Sequence, residues 1–370
     1  MSDSNFICNA VWNSIAIYPN GELAPCCMYD RSKDHTKREF RGVSTFEDLQ
    51  QQMLDGKCPP GCAGCLDSEQ RGLDSYRMKF GSIPKYRNST LYVDIRNNNT
   101  CNLTCRMCNS EFSSSWSKVT GELEFNKFNV WPILEELSSN NLTEIYFTGG
   151  EPMLNPDHWA LLEQLIANNK SRQIELRYNT NLSTLSYKGK HVTELWKFFK
   201  KITVYASLEA SGEPGQYIRS GLQWDNVEKS IDSLREFRTQ HINVHIHVFC
   251  TLGLLNVWFM PELIQWCKEK QILLEISMLE GPDFLSLAAL PKSLEHLIPD
   301  IQFERNRQYQ NNTRILNLAK SKIGESSDLF LHTIAHILLL DKIKGDKMFD
   351  SLPIEVQNFA KQRVFSNKLY

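Results

Sequence analysis

From Leu91 to Met278 the sequence alternates short apolar or β-branched runs with longer helical stretches, and this alternation limits the fold more than any other feature. Strand candidates fall at Leu91–Ile95, Glu144–Phe147, Gln173–Tyr178, Ile202–Ala206, Asn243–Cys250 and Leu273–Met278. Helical patterns separate them around Val130–Leu137, His158–Asn168, Val192–Phe199, Asn226–Phe237 and Met260–Lys268. Strands linked through helices pair in parallel, because only a hairpin can return a strand directly. The expectation is an α/β fold, a partial (βα)6 barrel over residues 86–290, with its site in the loops at the strands' C-terminal ends.

Residues 1–85 have another character. They carry Cys8, Cys26, Cys27, Cys58, Cys62 and Cys65 among turn signals at Pro19-Asn20-Gly21, Pro59-Pro60-Gly61 and Gly81-Ser82-Ile83-Pro84. Ile15–Tyr18 and Leu23–Ala24 read as a hairpin about Asn20-Gly21, and Thr45–Leu54 as a helix. The segment reads as a small metal-stapled module without a core of its own. Residues 291–370 read as a mostly helical extension, polar and without visible chemistry. No internal repeat and no low-complexity segment accompanies the βα alternation.

In a chain of 370 residues, a 41% hydrophobic share is ample for a core. Lysine plus arginine (41) nearly balances aspartate plus glutamate (43), which gives no general case for nucleic acid or an anionic membrane as partner. The basic run Lys197–Lys201 reads as a solvated helix face. Met1-Ser2-Asp3-Ser4-Asn5 lacks the layout of a secretory signal, and no apolar stretch approaches the ~20 residues that span a bilayer, so a cytoplasmic protein is expected. Eleven cysteines in that compartment do not form a disulfide framework. Nine of them lie between Cys8 and Cys108, which points to metal chemistry in the N-terminal third.

Cys101-Asn102-Leu103-Thr104-Cys105-Arg106-Met107-Cys108 has the spacing Cys-x3-Cys-x2-Cys, directly after the first barrel strand. Three thiolates can hold three irons of a cubane and leave the fourth open, whereas structural zinc takes four ligands. Thr148-Gly149-Gly150-Glu151-Pro152 follows the second strand; its glycines let backbone approach a ligand, and Glu151 offers a carboxylate to a cationic amine.

Together these two loops resemble the radical S-adenosylmethionine (SAM) superfamily, and the resemblance runs from residue 91 to about 260. It implies a [4Fe-4S] cluster on Cys101, Cys105 and Cys108, with SAM chelated by the open iron and cleaved to a 5′-deoxyadenosyl radical. It further implies cofactor contacts from Gly149, Gly150 and Glu151, from Thr180 and Asn181 at the end of the third strand, and from Ser207 and Arg219. An electron donor such as flavodoxin or ferredoxin would supply the electron. Two positions depart from the pattern: Met107 stands where an aromatic residue is common, and Glu209 where aspartate is common.

The N-terminal segment is similar to a SPASM or twitch auxiliary-cluster module, placed before the barrel. Cys8-x12-Gly21-x4-Cys26 fits its first half, and Cys62-x2-Cys65 followed by Glu69, Ser75 and Arg77 its second. The similarity implies a second [4Fe-4S] cluster on Cys8, Cys26, Cys62 and Cys65, with structural zinc on the same thiolates, or Cys58 in place of Cys62, as alternatives. Cys250, ending the fifth strand, is either a buried small hydrophobe or a hydrogen-atom donor at the barrel mouth, as a resemblance to peptide epimerases would require. Relatives with auxiliary clusters often modify peptides, so a peptide or protein substrate is expected. A small molecule or sugar is the second option, and a non-catalytic zinc-stapled scaffold the third.

Overall fold

A computed structural model describes residues 6–34, 36–81, 92–122, 129–139, 142–279, 281–303 and 310–366. The turn signal at Ser82-Ile83-Pro84, the expected boundary at residue 85, and Leu91 lie outside these residues.

The strands are β1 (Ser14–Ile17), β2 (Leu23–Ala24), β3 (Tyr92–Ile95), β4 (Glu144–Phe147), β5 (Glu175–Thr180), β6 (Ser186–Tyr187), β7 (Lys190–His191), β8 (Lys201–Ser207), β9 (Val244–Leu252) and β10 (Leu273–Met278). The α-helices are α1 (Ala10–Asn13), α2 (Glu47–Leu54), α3 (Ala63–Gln70), α4 (Tyr76–Phe80), α5 (Ser114–Thr120), α6 (Trp131–Ser139), α7 (Pro156–Ala167), α8 (Thr193–Trp196), α9 (Gly212–Ile218), α10 (Trp224–Gln240), α11 (Met260–Lys270), α12 (Gln310–Ser321), α13 (Phe330–Lys344) and α14 (Ile354–Ser366).

One eight-stranded sheet dominates, in the order β10-β9-β8-β5-β4-β3-β1-β2. The six expected barrel strands are parallel and spatially consecutive. Period-two alternation explains their two faces. Leu176 and Tyr178 of β5, Ile202, Val204 and Ala206 of β8, and Ile246, Val248 and Cys250 of β9 form one fully buried face. That face meets the helices: the Tyr178 hydroxyl accepts from Trp196 Nε1 and pairs with His158 Nε2 of α7, both at 3.0 Å. The opposite face carries Tyr92, Asp94, Tyr146, Arg177, Tyr205, His247 and Glu275, joined by contacts such as Arg177 to the Tyr205 hydroxyl at 2.9 Å and His247 to Glu275 at 2.7 Å.

Both ends of the sheet are managed. Beside β10, the buried side chain of Asn312 on α12 accepts from the Ile276 amide at 3.1 Å and donates to the Leu274 carbonyl at 2.7 Å, taking the place of a neighbouring strand. At the other end the N-terminal hairpin is not a separate module. β1 pairs in parallel with β3, and β2 pairs antiparallel with β1, so the cysteine-rich segment extends the barrel's own sheet and shares its core. The expected helix Val192–Phe199 is only the single turn of α8, which follows the β6–β7 hairpin that turns through Lys188 and Gly189 at positive φ.

Candidate functional site

The loop after β3 carries Cys101, Cys105 and Cys108, and its backbone is bonded almost throughout. Ser113 is the N-cap of α5, and its hydroxyl donates to the Leu103 carbonyl at 2.6 Å. Ser115 donates to the Cys101 carbonyl at 2.8 Å, and Trp116 Nε1 to the Cys105 carbonyl at 2.9 Å. On the far side, the amides of Thr104 and Arg106 donate to the carbonyls of Ser220 and Ile218, each at 2.9 Å. None of these bonds uses a thiol; Cys108 Sγ has a long contact of 3.6 Å to the Asn109 carbonyl, and Cys105 Sγ one of 3.8 Å from Arg219. Burial pushes the Cys101 thiol up to about 11 and raises Cys105 and Cys108 as well. Such thiols ionise when a cationic centre joins them, which is the donor chemistry an iron-sulfur cluster needs.

The Gly-Gly-Glu loop sits against the cysteine loop. Gly149 has φ +91°, and a Cβ on Gly150 would lie 2.3 Å from the Thr100 carbonyl oxygen, so the first requirement for these glycines is the approach of one loop to the other. The Glu151 amide then donates to that same carbonyl at 2.7 Å. Glu151 itself is buried. One carboxylate oxygen accepts from the Met153 amide (3.1 Å) and the Thr180 hydroxyl (2.7 Å), and the other from the Asn181 amide (2.7 Å). Burial raises its pKa, against these three hydrogen bonds. The carboxylate thus binds β4's loop to the end of β5.

Asn181 Nδ2 reaches back to Asn102 Oδ1 at 3.1 Å, joining the end of β5 to the cysteine loop. Ser207 closes β8, partly buried. Arg219 follows α9 and points its Nη1 at Cys105 Sγ, 3.8 Å away. Its Nε and Nη2 form a fork on Glu209, the second at 2.9 Å. Burial opposes the Arg219 charge, but Glu209 and Cys105 outweigh it, and the guanidinium stays charged. Glu209, a departure in the sequence pattern, is therefore Arg219's partner.

Cys250 is corrected. β9 continues to Leu252, and Cys250 stands on the helix-facing side, fully buried beside Met260 Sδ (3.8 Å) and Asn256 Nδ2 (3.2 Å). Its parity with Ile246 and Val248 turns it away from the face that would meet a substrate. The thiol that does reach the opposite face is Cys27, beside Tyr76, Asp94 and Arg96, which sequence reasoning left unassigned; burial and then Asp94 push it up to about 11.

In the N-terminal region, one cleft is lined by Cys8, Cys26, Cys62 and Cys65 together with Tyr29 and Arg77. Cys58 does not line it. Burial pushes Cys8 up to about 12 and raises the other three. Arg77 ties the cleft's segments together: its Nε donates to Glu69 at 2.9 Å and its Nη1 to the Ile7 carbonyl at 3.0 Å. Ser75 donates to the same Glu69. Among the described residues, no three His, Cys, Asp or Glu side chains converge tightly enough for a single metal ion.

Residues 98–267 match the family model of the radical SAM superfamily, a span that begins just before Cys101 and contains the cysteine loop, the Gly149-Gly150-Glu151 loop, Thr180, Asn181, Ser207 and Arg219. No curated protein matches. Among solved structures, the chain is similar to Streptococcus suis SuiB bound to precursor peptide SuiA, at 14% identity over 78% of this chain and 54% of that one, with a TM-score of 0.40. It is also similar to anSMEcpe with bound AdoMet, at 15% identity over 70% of this chain and 64% of that one, with a TM-score of 0.41. The chain thus spans between half and two thirds of those proteins' lengths. The family match defines a radical SAM domain, and the protein is an enzyme. No helix among the described residues is long and apolar enough to cross a membrane.

Proposed function

We propose that the enzyme holds a [4Fe-4S] cluster on Cys101, Cys105 and Cys108, binds SAM beside it, and acts on a residue of a peptide or protein. The observation that supports this is the packing of one short loop bearing Cys101, Cys105 and Cys108 against the Gly149-Gly150-Glu151 loop, with Arg219 pointing at Cys105 Sγ, at the C-terminal ends of parallel strands. When bound there, the cluster and SAM supply a 5′-deoxyadenosyl radical that takes a hydrogen atom from the substrate.

The chain's own residues do the rest. Gly149 and Gly150 bring backbone to the cofactor's amino end, while Glu151, gripping Thr180 and Asn181, keeps that backbone and the end of β5 in register. Ser207 and Arg219 complete the cofactor site on the β8 side; Arg219 also stabilises the neighbouring thiolate of Cys105. Cys8, Cys26, Cys62 and Cys65 would ligate a second cluster, which suits four thiols on one cleft and leaves Cys58 out. A peptide substrate is favoured by the resemblance to auxiliary-cluster enzymes, which often modify peptides; the partly exposed face of Tyr146, Arg177 and Tyr205 would meet it.

The test is anaerobic reconstitution with iron and sulfide, followed by iron analysis and assay of 5′-deoxyadenosine release from SAM under reduction. About eight irons, falling to about four in Cys101→Ala/Cys105→Ala/Cys108→Ala with deoxyadenosine abolished, is the expected result. Bound zinc without deoxyadenosine would leave a structural metalloprotein.

A further inference from the structure

Arg106 lies between two of the three loop cysteines, yet its side chain is among the largest fully buried in the molecule. A buried guanidinium must find acceptors for its fixed fork of donors. Nε donates to the Tyr217 carbonyl at 2.8 Å and Nη1 to the Ile337 carbonyl at 3.2 Å. Nη2 donates to Asp341 Oδ1 at 2.5 Å and Asp346 Oδ2 at 3.1 Å. Three of these four acceptors belong to α13 and the turn after it.

The same helix reaches the loop at further points. His336 Nε2 pairs with the Arg106 carbonyl at 3.1 Å. Lys344 donates to the Thr104 hydroxyl and lies 4.8 Å over the Trp116 ring, whose indole N–H holds the Cys105 carbonyl. Asp341's other oxygen accepts from the Phe349 amide at 2.9 Å, anchoring the grip to the chain beyond α13.

Charge at this place needs a reason, since a buried ion pair is commonly no more stabilising than apolar residues of the same volume. What a planar fork with four separate acceptors provides is orientation, here of the backbone between Cys105 and Cys108. We propose that α13 is a positioning element of the active site: Asp341 and Asp346 hold Arg106 and so fix how Cys105 and Cys108 are presented to the cluster. This rests on the cluster reading above. The extension that looked devoid of chemistry in the sequence thereby sets the geometry of the metal loop from outside the barrel.

The test uses the full chain with Asp341→Asn, which removes charge and keeps shape, and Arg106→Met, which removes every donor and keeps bulk. In the metal-free protein, hydrogen exchange over residues 101–108 is expected to run at least about tenfold faster in both variants, with β4 and β8 unchanged. In the reconstituted and reduced protein, the SAM-induced change in the cluster's electron paramagnetic resonance spectrum is expected in wild type and altered in the variants at equal iron content. Wild-type exchange and a wild-type spectral response in both variants would overturn the proposal. Absence of any SAM-induced change in wild type would overturn the cluster reading instead, while the exchange measurement still decides whether α13 grips the loop. If Arg106→Met gives no cooperative melt, Asp346→Asn removes only the longer ion-pair contact and carries the same two readouts.

Discussion

The Cys101–Cys108 loop and the cleft of Cys8, Cys26, Cys62 and Cys65 stand on one sheet, but the first is built within eight residues and the second from distant segments of the chain. In the loop, the serine run, Trp116, the end of α9 and α13 bond the backbone, so its shape is held by protein alone. In the cleft, segments distant in sequence meet through aromatic walls, the Arg77–Glu69 pair and single backbone bonds such as Asp30 to Gly61 at 2.9 Å and Asn9 to Gly81 at 3.2 Å. Pre-organised loops offer a site to a ligand, whereas dispersed thiols use the ligand as a staple.

The largest effect that tests this contrast is metal removal. Chelation, or Cys26→Ser, is expected to destabilise residues 6–81 by about 4 kcal/mol for a metal held at a thousandfold excess over its dissociation constant, read by thermal melting and hydrogen exchange. The triple alanine variant of Cys101, Cys105 and Cys108 should lower the melt by less than half as much; equal losses would erase the distinction. Next, Gly150→Ala drives a methyl group toward the Thr100 carbonyl and should cost about 2 kcal/mol, with deoxyadenosine release falling at least about tenfold.

Acid loads the barrel side through one buried imidazole. Burial lowers the pKa of His158 from 6.5 to about 3, and its ring stands 4.6 Å from that of Phe147 at the base of the Gly-Gly-Glu loop. Its unfolded form therefore binds a proton that the folded form refuses, so its contribution is complete above pH 6.5 and is lost as pH falls toward 3. Between those limits stability should drop by about 1.4 kcal/mol per pH unit, a slope that His158→Phe should flatten in acid melting curves. The smallest effect is Cys58→Ser, expected to change stability by less than about 0.5 kcal/mol and iron content not at all. Matching losses for Cys58→Ser and Cys62→Ser would redraw the cleft's ligand set.

The barrel strands were legible because period-two runs between helical patterns leave few alternatives. Strand ends were less so: β5 continues through Asn179, on the sheet's polar face, and Thr180, which is buried in phase with Tyr178 and donates to Glu151. Cys250 could have been assigned from parity alone, since it alternates in phase with Ile246 and Val248. The grip of α13 could not. Asp341, Lys344 and Asp346 look like surface charges in sequence, and no local pattern joins them to Arg106 more than two hundred residues away. The same holds for β1, whose partner β3 lies beyond the whole cysteine-rich segment.

That pairing bears on how the chain is made. β1 leaves the ribosome well ahead of its parallel neighbour, residues 92–95, which follows after Cys26, Cys27, Cys58, Cys62 and Cys65. Until then the β1–β2 ribbon is an isolated two-stranded hairpin, a form of marginal stability in water. The nascent chain must therefore carry an unpaired edge and unligated thiols until β3 emerges, a window in which non-local pairing is slow and association with other chains competes. Expression at lower temperature or with slower initiation should raise the soluble fraction more than any change to the mature surface.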